Sequence, residues 1–250
     1  MILSILSYPR SVIMGVLYPP YLLVASLITI AVNLVFRRRD FDDLTLKWWG
    51  IISCKMFGVQ VKVMGLENIP SGGGVYLFNH TSFFDIFAMV GYLPSVRFGA
   101  KIELFKIPLF GWAMRRVGVL PIARGNREEV FKTYKDAEAR LKSGEHIALA
   151  PEGTRQTEEK LGHFKSGPFV FAISAQVPVI PVVIRKASQI LPKHAYFPNF
   201  GTWSREIQIW VLPAIDTKNF SVNERPILQS KVLEAMLPYF TTLHEELRIV

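Results

Sequence analysis

An imidazole and a carboxylate stand five residues apart in Asn79-His80-Thr81-Ser82-Phe83-Phe84-Asp85, directly after the apolar run Val75–Phe78. His80 lies at the exit of a predicted strand. A turn into a helix brings Asp85 back within its reach. An imidazole titrating near neutral pH accepts a hydroxyl proton. A carboxylate on its other nitrogen fixes the tautomer and stabilises the imidazolium. No serine nucleophile is needed when the substrate brings the hydroxyl. The same residues carry a plainer reading. Ser82-Phe83-Phe84-Asp85 has capping-box spacing, so Asp85 can close a helix running through Met89 while backbone groups hold His80.

A second cluster, Pro151-Glu152-Gly153-Thr154-Arg155, follows the run Ile147–Ala150. Gly153 permits close backbone approach, Thr154 offers a hydroxyl, and Arg155 offers a fork suited to phosphate oxygens. Glu152 repels phosphate, so it fits better as the partner of an arginine or of a substrate hydroxyl. A tight turn with a surface arginine explains the same string. Two further strings are structural when taken alone. Gly118-Val119-Leu120-Pro121-Ile122-Ala123-Arg124 ends on a cation. Val177-Pro178-Val179-Ile180-Pro181-Val182-Val183 is a strand whose prolines predict an irregular edge or a bend.

The elements that must position these groups are short. Val61–Met64, Val75–Phe78, Val96–Gly99, Ile147–Ala150, Val179–Ile184 and Ile207–Leu212 are apolar runs bounded by turn residues, and they read as strands. Helical stretches alternate with them. Asn126 and Glu129 form a capping pair ahead of Val130, Tyr134, Ala137 and Leu141, with Gly144 as the stop. A last helix is predicted over Ile227–Leu247, broken or kinked at Pro238. The alternation predicts an α/β fold, a mainly parallel or mixed sheet covered by helices. Chemistry in such sheets gathers at the carboxyl ends of the strands.

Composition narrows the partners. The 250 residues are 50% hydrophobic and 20% charged, with a net charge of +9. Mean hydropathy is +0.26 and the sequence pI is about 9.7. A disordered chain is excluded. A single cysteine, Cys54, excludes an internal disulfide and a multi-cysteine zinc site, and the histidines are scattered, so no metal is expected. An apolar, basic chain points to nucleic acid or to an anionic membrane surface. No recognition fold for nucleic acid is visible. From Val12 to Phe36 there is no charge, and Arg37-Arg38-Arg39 closes the run. Pro19-Pro20 is expected to cut it, leaving Tyr21–Phe36, roughly 24 Å of helix against a hydrocarbon core of about 30 Å. Asp42-Asp43 is expected to open a second helix, with Trp48-Trp49 beside lysines as an interfacial face. The expectation is a membrane-associated helical hairpin over residues 1–58, dipped into one leaflet, followed by an α/β domain over 59–250. Plain packing of both helices on the core is the alternative.

The motifs taken together are specific. His-x4-Asp, Gly-Val-Leu-Pro-Ile-Ala-Arg, Pro-Glu-Gly-Thr-Arg and Val-Pro-Val-Ile-Pro-Val occur in this order. The chain resembles the glycerolipid acyltransferase family, the PlsC type of 1-acylglycerol-3-phosphate acyltransferases, over about Val61–Ile184. Ala150 departs from the family's usual phenylalanine. The resemblance implies acyl transfer from acyl-CoA or acyl carrier protein to the sn-2 hydroxyl of lysophosphatidic acid, without a further cofactor. It implies His80 as general base and Asp85 as its partner. Arg124 and the block Glu152, Gly153, Thr154 and Arg155 would hold the glycerol phosphate. Lys101 and Lys165 would add positive charge, although a solvated lysine is the plain reading of each. Attachment is expected to be monotopic, on the cytoplasmic face of the cell membrane. Another lyso-lipid or glycerol-3-phosphate as acceptor, and a non-catalytic lipid-binding relative, are the competing readings.

Overall fold

Strand β2 (Gly74–Phe78) is buried on both faces: Val75 and Leu77 point into one apolar cluster, Tyr76 and Phe78 into the other. A strand covered twice needs an unbroken apolar run, which is why this one reads as continuous rather than alternating. The computed structural model describes residues 2–157 and 160–241. In chain order the remaining strands are β1 (Val59–Met64), β3 (Val96–Lys101), β4 (Leu120–Ile122), β5 (His146–Leu149), β6 (Val179–Arg185) and β7 (Arg205–Val211). They form one seven-stranded sheet in the order β1-β7-β6-β2-β5-β3-β4. The pairs from β6 to β4 are parallel, β6 and β7 are antiparallel, and β7 and β1 are parallel. The sheet is therefore mixed.

Helices cover both faces. On one lie α2 (Arg39–Met56), α3 (Phe84–Tyr92) and α4 (Phe110–Arg116). On the other lie α5 (Arg127–Lys142), α6 (Gly167–Ala175) and α8 (Arg225–Met236). Short helices α7 (Ala187–Ile190) and α9 (Pro238–Thr241) complete the described chain. The Asn126 side chain accepts from Glu129 N at 3.2 Å, as the capping pair predicts. Pro238 does divide the C-terminal helix, and the expected continuation beyond 241 lies outside the described residues.

Pro181 sits in β6, an interior strand, rather than at an edge. Its carbonyl accepts from Leu212 N at 2.9 Å, so its missing donor faces β7 just past the end of that ladder. In an extended strand a residue's N–H and C=O share a side, and only one terminal bond is forfeited.

The N-terminal helix α1 spans Ile2–Phe36 without interruption and contains Pro9, Pro19 and Pro20. The expected break at Pro19-Pro20 does not occur. Proline keeps a helical φ, but it forfeits the bond to the carbonyl four residues back, here those of Gly15 and Val16, and its ring crowds that carbonyl, a cost that a long helix can absorb without ending. At 1.5 Å per residue the helix is about 52 Å long. Its polarity is inverted relative to a soluble helix. Its buried residues are Ser7, Ser11, Ser26 and Ile30, while Ile2, Val16 and Val35 are about 70% exposed. By length and composition it is long and apolar enough to cross a membrane.

Helix α2 begins at Arg39, ahead of Asp42-Asp43, because both aspartates are engaged elsewhere. Asp42 accepts from Asn33 Nδ2 at 2.9 Å, and Asp43 pairs with the buried Arg97 of β3 at 2.5 Å. The helix crosses α3 so closely that a Cβ on Gly50 would meet Phe87 O at 2.5 Å. Trp49 turns inward against Phe87 and Phe98, whereas Leu44, Trp48 and Ile52 form an exposed stripe at four-residue spacing. One side of α2 is core and the other is apolar and uncovered.

Candidate active site

The end of β2 is held by Asn79, fully buried, whose side chain imitates a strand residue. Its Nδ2 donates to Ile184 O at 2.8 Å and its Oδ1 accepts from Ile184 N at 2.7 Å. This double bond ties β2 to β6 and aims the chain outward at His80. Asp85, the second residue of α3, folds back beneath it. A single oxygen, Asp85 Oδ2, accepts from His80 Nδ1 at 2.8 Å, Thr81 N at 2.7 Å and Ser82 N at 2.8 Å. Capping and orienting, alternatives at the level of sequence, are performed here by the same atom. With Nδ1 donating to a carboxylate, the imidazole lone pair lies on Nε2. Asp85 is fully buried, and its Oδ1 has no hydrogen-bond partner among the described residues.

The loop after β5 lies against this turn. Gln156 N donates to His80 O at 2.7 Å, and Lys165 N donates to Pro151 O at 2.8 Å. Gly153 adopts φ +71, where a side chain is strained. Glu152 points away from the cavity. It is 3% exposed, its Oε1 accepts from Gly162 N at 3.2 Å, and burial pushes its carboxyl up to about 7. Arg155 stacks on Phe83, its guanidinium 4.3 Å from the ring centre. Burial lowers its pKa most, Asp85 opposes that shift and Arg124 adds to it. The guanidinium remains charged at any working pH.

These groups share one cavity of about 1020 Å³. His80, Lys101, Arg124, Gly153, Thr154 and Arg155 all line it. Asp85 and Glu152 stand behind its wall. Lys165, also expected from sequence, lines it too, and Arg127, His163 and Lys193 join them. Lys101 also pairs with Glu103 at 3.3 Å. The lining further includes the apolar side chains Leu22, Trp49, Phe87, Phe98, Phe110 and Met114. Phe83 and Phe84 face the cavity, while Phe105, Phe164, Phe169 and Phe171 belong to the core. Arg127, His163 and Lys193 lie in no string with recognisable spacing. Only the folding of three separate loops onto one strand edge brings them together.

A sequence profile of the acyltransferase family matches residues 60–185, half of the chain. The chain belongs to the acyltransferase family. It is similar to 1-acylglycerol-3-phosphate acyltransferases, including one of the PlsC type. It is 36% identical over 157 residues to a chloroplastic 1-acyl-sn-glycerol-3-phosphate acyltransferase of Arabidopsis thaliana, covering 62% of this chain and 44% of that one. The corresponding enzyme of Pseudomonas aeruginosa is 33% identical over 159 residues, 63% of this chain and 60% of the other. The chain thus spans less than half the length of the plant relative. The crystal structure of the 1-acyl-sn-glycerophosphate acyltransferase PlsC from Thermotoga maritima superposes with a TM-score of 0.79 at 25% identity. That match covers 94% of this acyltransferase and 95% of the Thermotoga chain.

Proposed function

We propose that this acyltransferase moves an acyl group from acyl-CoA or acyl carrier protein to the sn-2 hydroxyl of lysophosphatidic acid, giving phosphatidic acid. The observation that carries the reading is the make-up of one cavity. His80 shares it with arginines and lysines and with a set of apolar side chains, as an acceptor with a phosphate and a donor with a chain require. His80 Nε2 takes the hydroxyl proton as the oxygen attacks the thioester carbonyl. The tetrahedral adduct collapses, the C–S bond breaks, and the departing thiolate takes that proton from His80. No acyl-enzyme is formed. Asp85 holds the ring and stabilises its charged form. Arg124, Arg155 and Lys101 bind the phosphate with the Gly153-Thr154 backbone, and Glu152 braces the loop from behind. The thioester is already activated, so deprotonation and positioning are the remaining tasks.

The membrane is the second partner. We assign residues 1–58 as the attachment segment and 59–250 as the catalytic domain, monotopic on an anionic cytoplasmic leaflet. The inverted polarity of α1 and the outward stripe of Leu44, Trp48 and Ile52 on α2 support this. An acyl-transfer assay offering lysophosphatidic acid, glycerol-3-phosphate and lysophosphatidylcholine side by side tests the activity. Preferred turnover of lysophosphatidic acid is expected. Equal turnover of lysophosphatidylcholine would overturn the acceptor assignment.

A further inference from the structure

The segment joining α7 to β7, residues 191–204, carries four aromatics that the core does not use. Tyr196 is 90% exposed, and Phe197, Phe200 and Trp203 are also exposed. The segment is nevertheless firmly held. Asn199 is fully buried, adopts φ +52 and donates through Nδ2 to Phe57 O at 2.6 Å. Ser82 Oγ donates to Leu191 O at 2.9 Å, Arg205 donates to Thr202 Oγ1 at 3.0 Å, and further anchors are on the N-terminal half of α1. Ser4 Oγ donates to Gly201 O at 2.8 Å, and Arg10 donates to Trp203 O and lies 4.4 Å over its ring. Phe200 meets Tyr8 edge-on at 4.7 Å, and Phe197 closes on Gly15. Ser4, Arg10 and Ser11 of α1 are thus spent on this segment. The aliphatic side of the helix, with Val12, Ile13 and Val16, stays uncovered beside the aromatics.

We propose that residues 191–204 form a second lipid-contacting element, seated in the headgroup layer beside α1, which holds the mouth of the cavity at the leaflet. The proposal rests on the attachment assigned above to α1. The occupant is a phospholipid layer because the aromatic patch continues the exposed face of an apolar helix. Phenol and indole next to Lys193 and His194 are the side chains that settle at a membrane–water boundary. An exposed apolar patch of this kind marks an interaction site. Lys193, Tyr196 and Pro198 line the cavity together with Gly15 and Tyr18 of α1. Both elements thus wall the cavity, so a lipid acceptor entering between them keeps its chain out of water.

Three variants, each adding one cysteine, test this in the full chain. Cys54 is fully buried with its thiol pushed up to about 12, so the background does not label. Tyr196→Cys reports the loop, Val16→Cys reports α1, and Ser230→Cys, exposed on α8 across the sheet, is the control. Each carries an environment-sensitive fluorophore and meets vesicles of equal parts phosphatidylcholine and phosphatidylglycerol, with or without acyl-chain nitroxides. Blue-shifted emission and quenching of about twofold or more at positions 196 and 16, but not at 230, are expected. Quenching at 16 without 196 overturns the loop assignment and leaves the α1 attachment standing. Quenching at neither overturns both. Quenching at 230 equal to that at 196 also overturns the loop assignment. Without labels, Tyr196→Ser combined with Phe200→Ser should weaken vesicle partitioning by about threefold or more. Unchanged partitioning would overturn the proposal.

Discussion

At the carboxyl end of β2, His80 leaves the sheet against a carboxylate and faces a cavity. At the amino end of the neighbouring strand, His146 opens β5 opposite Gly74 and is stacked on Tyr76 with ring centres 5.1 Å apart. Both rings are buried. The difference is in what surrounds them. His80 has Asp85 on Nδ1, whereas among the described residues no carboxylate is hydrogen-bonded to the His146 ring. Burial lowers the His146 pKa, and Arg39 pushes the same way. In the proposed mechanism the first histidine holds a proton in passing. The surroundings of the second disfavour its charged form. Burial alone therefore says little about a histidine's task; its partners and the space before it decide.

The largest test of this contrast removes each ring in turn. His80→Ala should lower kcat by about 10³-fold, the middle of the range for a lost general base, with vesicle binding intact. His146→Phe, which keeps the stacking, should leave kcat within about twofold. Comparable losses in the two variants would erase the distinction between the two ends.

Asp85→Asn comes next. The amide oxygen can still accept from Thr81 N and Ser82 N, so the cap survives while the charge is lost. A fall in kcat of about 10²-fold is expected with less than about 1 kcal/mol of stability lost. Retained activity in that variant would reduce Asp85 to a cap.

Glu152 brings pH into the comparison. Its carboxyl is raised from 4.5 to about 7 in the folded chain, so the folded state holds its proton longer than the unfolded one. Stability from this group is present at low pH and is lost as pH rises through that interval. The loss is about 2 kcal/mol between about pH 5 and pH 7. Denaturant midpoints of Glu152→Gln against the parent should diverge over that range, with the variant gaining as pH rises. A constant offset would place the carboxylate in a polar surrounding.

Smaller effects follow at the rim. Arg155→Ala should raise KM for lysophosphatidic acid by about tenfold, and Arg155→Lys should recover part of it, since a point charge replaces a fork. An equal loss towards an acceptor without phosphate would remove Arg155 from phosphate binding. The smallest expected effect belongs to His146. Its depressed pKa means the unfolded chain takes the proton first, so stability declines as pH falls below about 6.5. His146→Phe should flatten that acid limb, and a slope identical to the parent's would count against the burial argument.

How much of this was legible in the sequence depended on distance along the chain. His80 and Asp85 are five residues apart and meet through one turn, so a local string sufficed. The strand cores were legible because apolar runs bounded by turn residues leave few alternatives. The Arg155 fork was read from its own chemistry, whereas Arg124 and Lys101 were found through a family resemblance, and the cavity gathers all three. The inward turn of Glu152 was not legible, since it depends on Gly162 approaching from ten residues away. Nor was the role of Pro181, whose tolerance rests on where β7 stops. In α2, Trp48-Trp49 beside lysines read as one interfacial face, although Trp49 turns inward. Composition could not say that Leu46 and Cys54 would meet α3 while Trp48 would not. In α1 the eye is drawn to the aliphatics, and the serines that define its inner side pass as neutral filler.

The N-terminal helix has one further consequence. Gly15, Tyr18 and Leu22 are lining residues of the catalytic cavity, so the part that grips the bilayer is also one side of the vessel. Trimming it away to obtain a tractable soluble protein would not yield the same enzyme set loose. It would yield a container missing a panel, with its apolar lining opened to water.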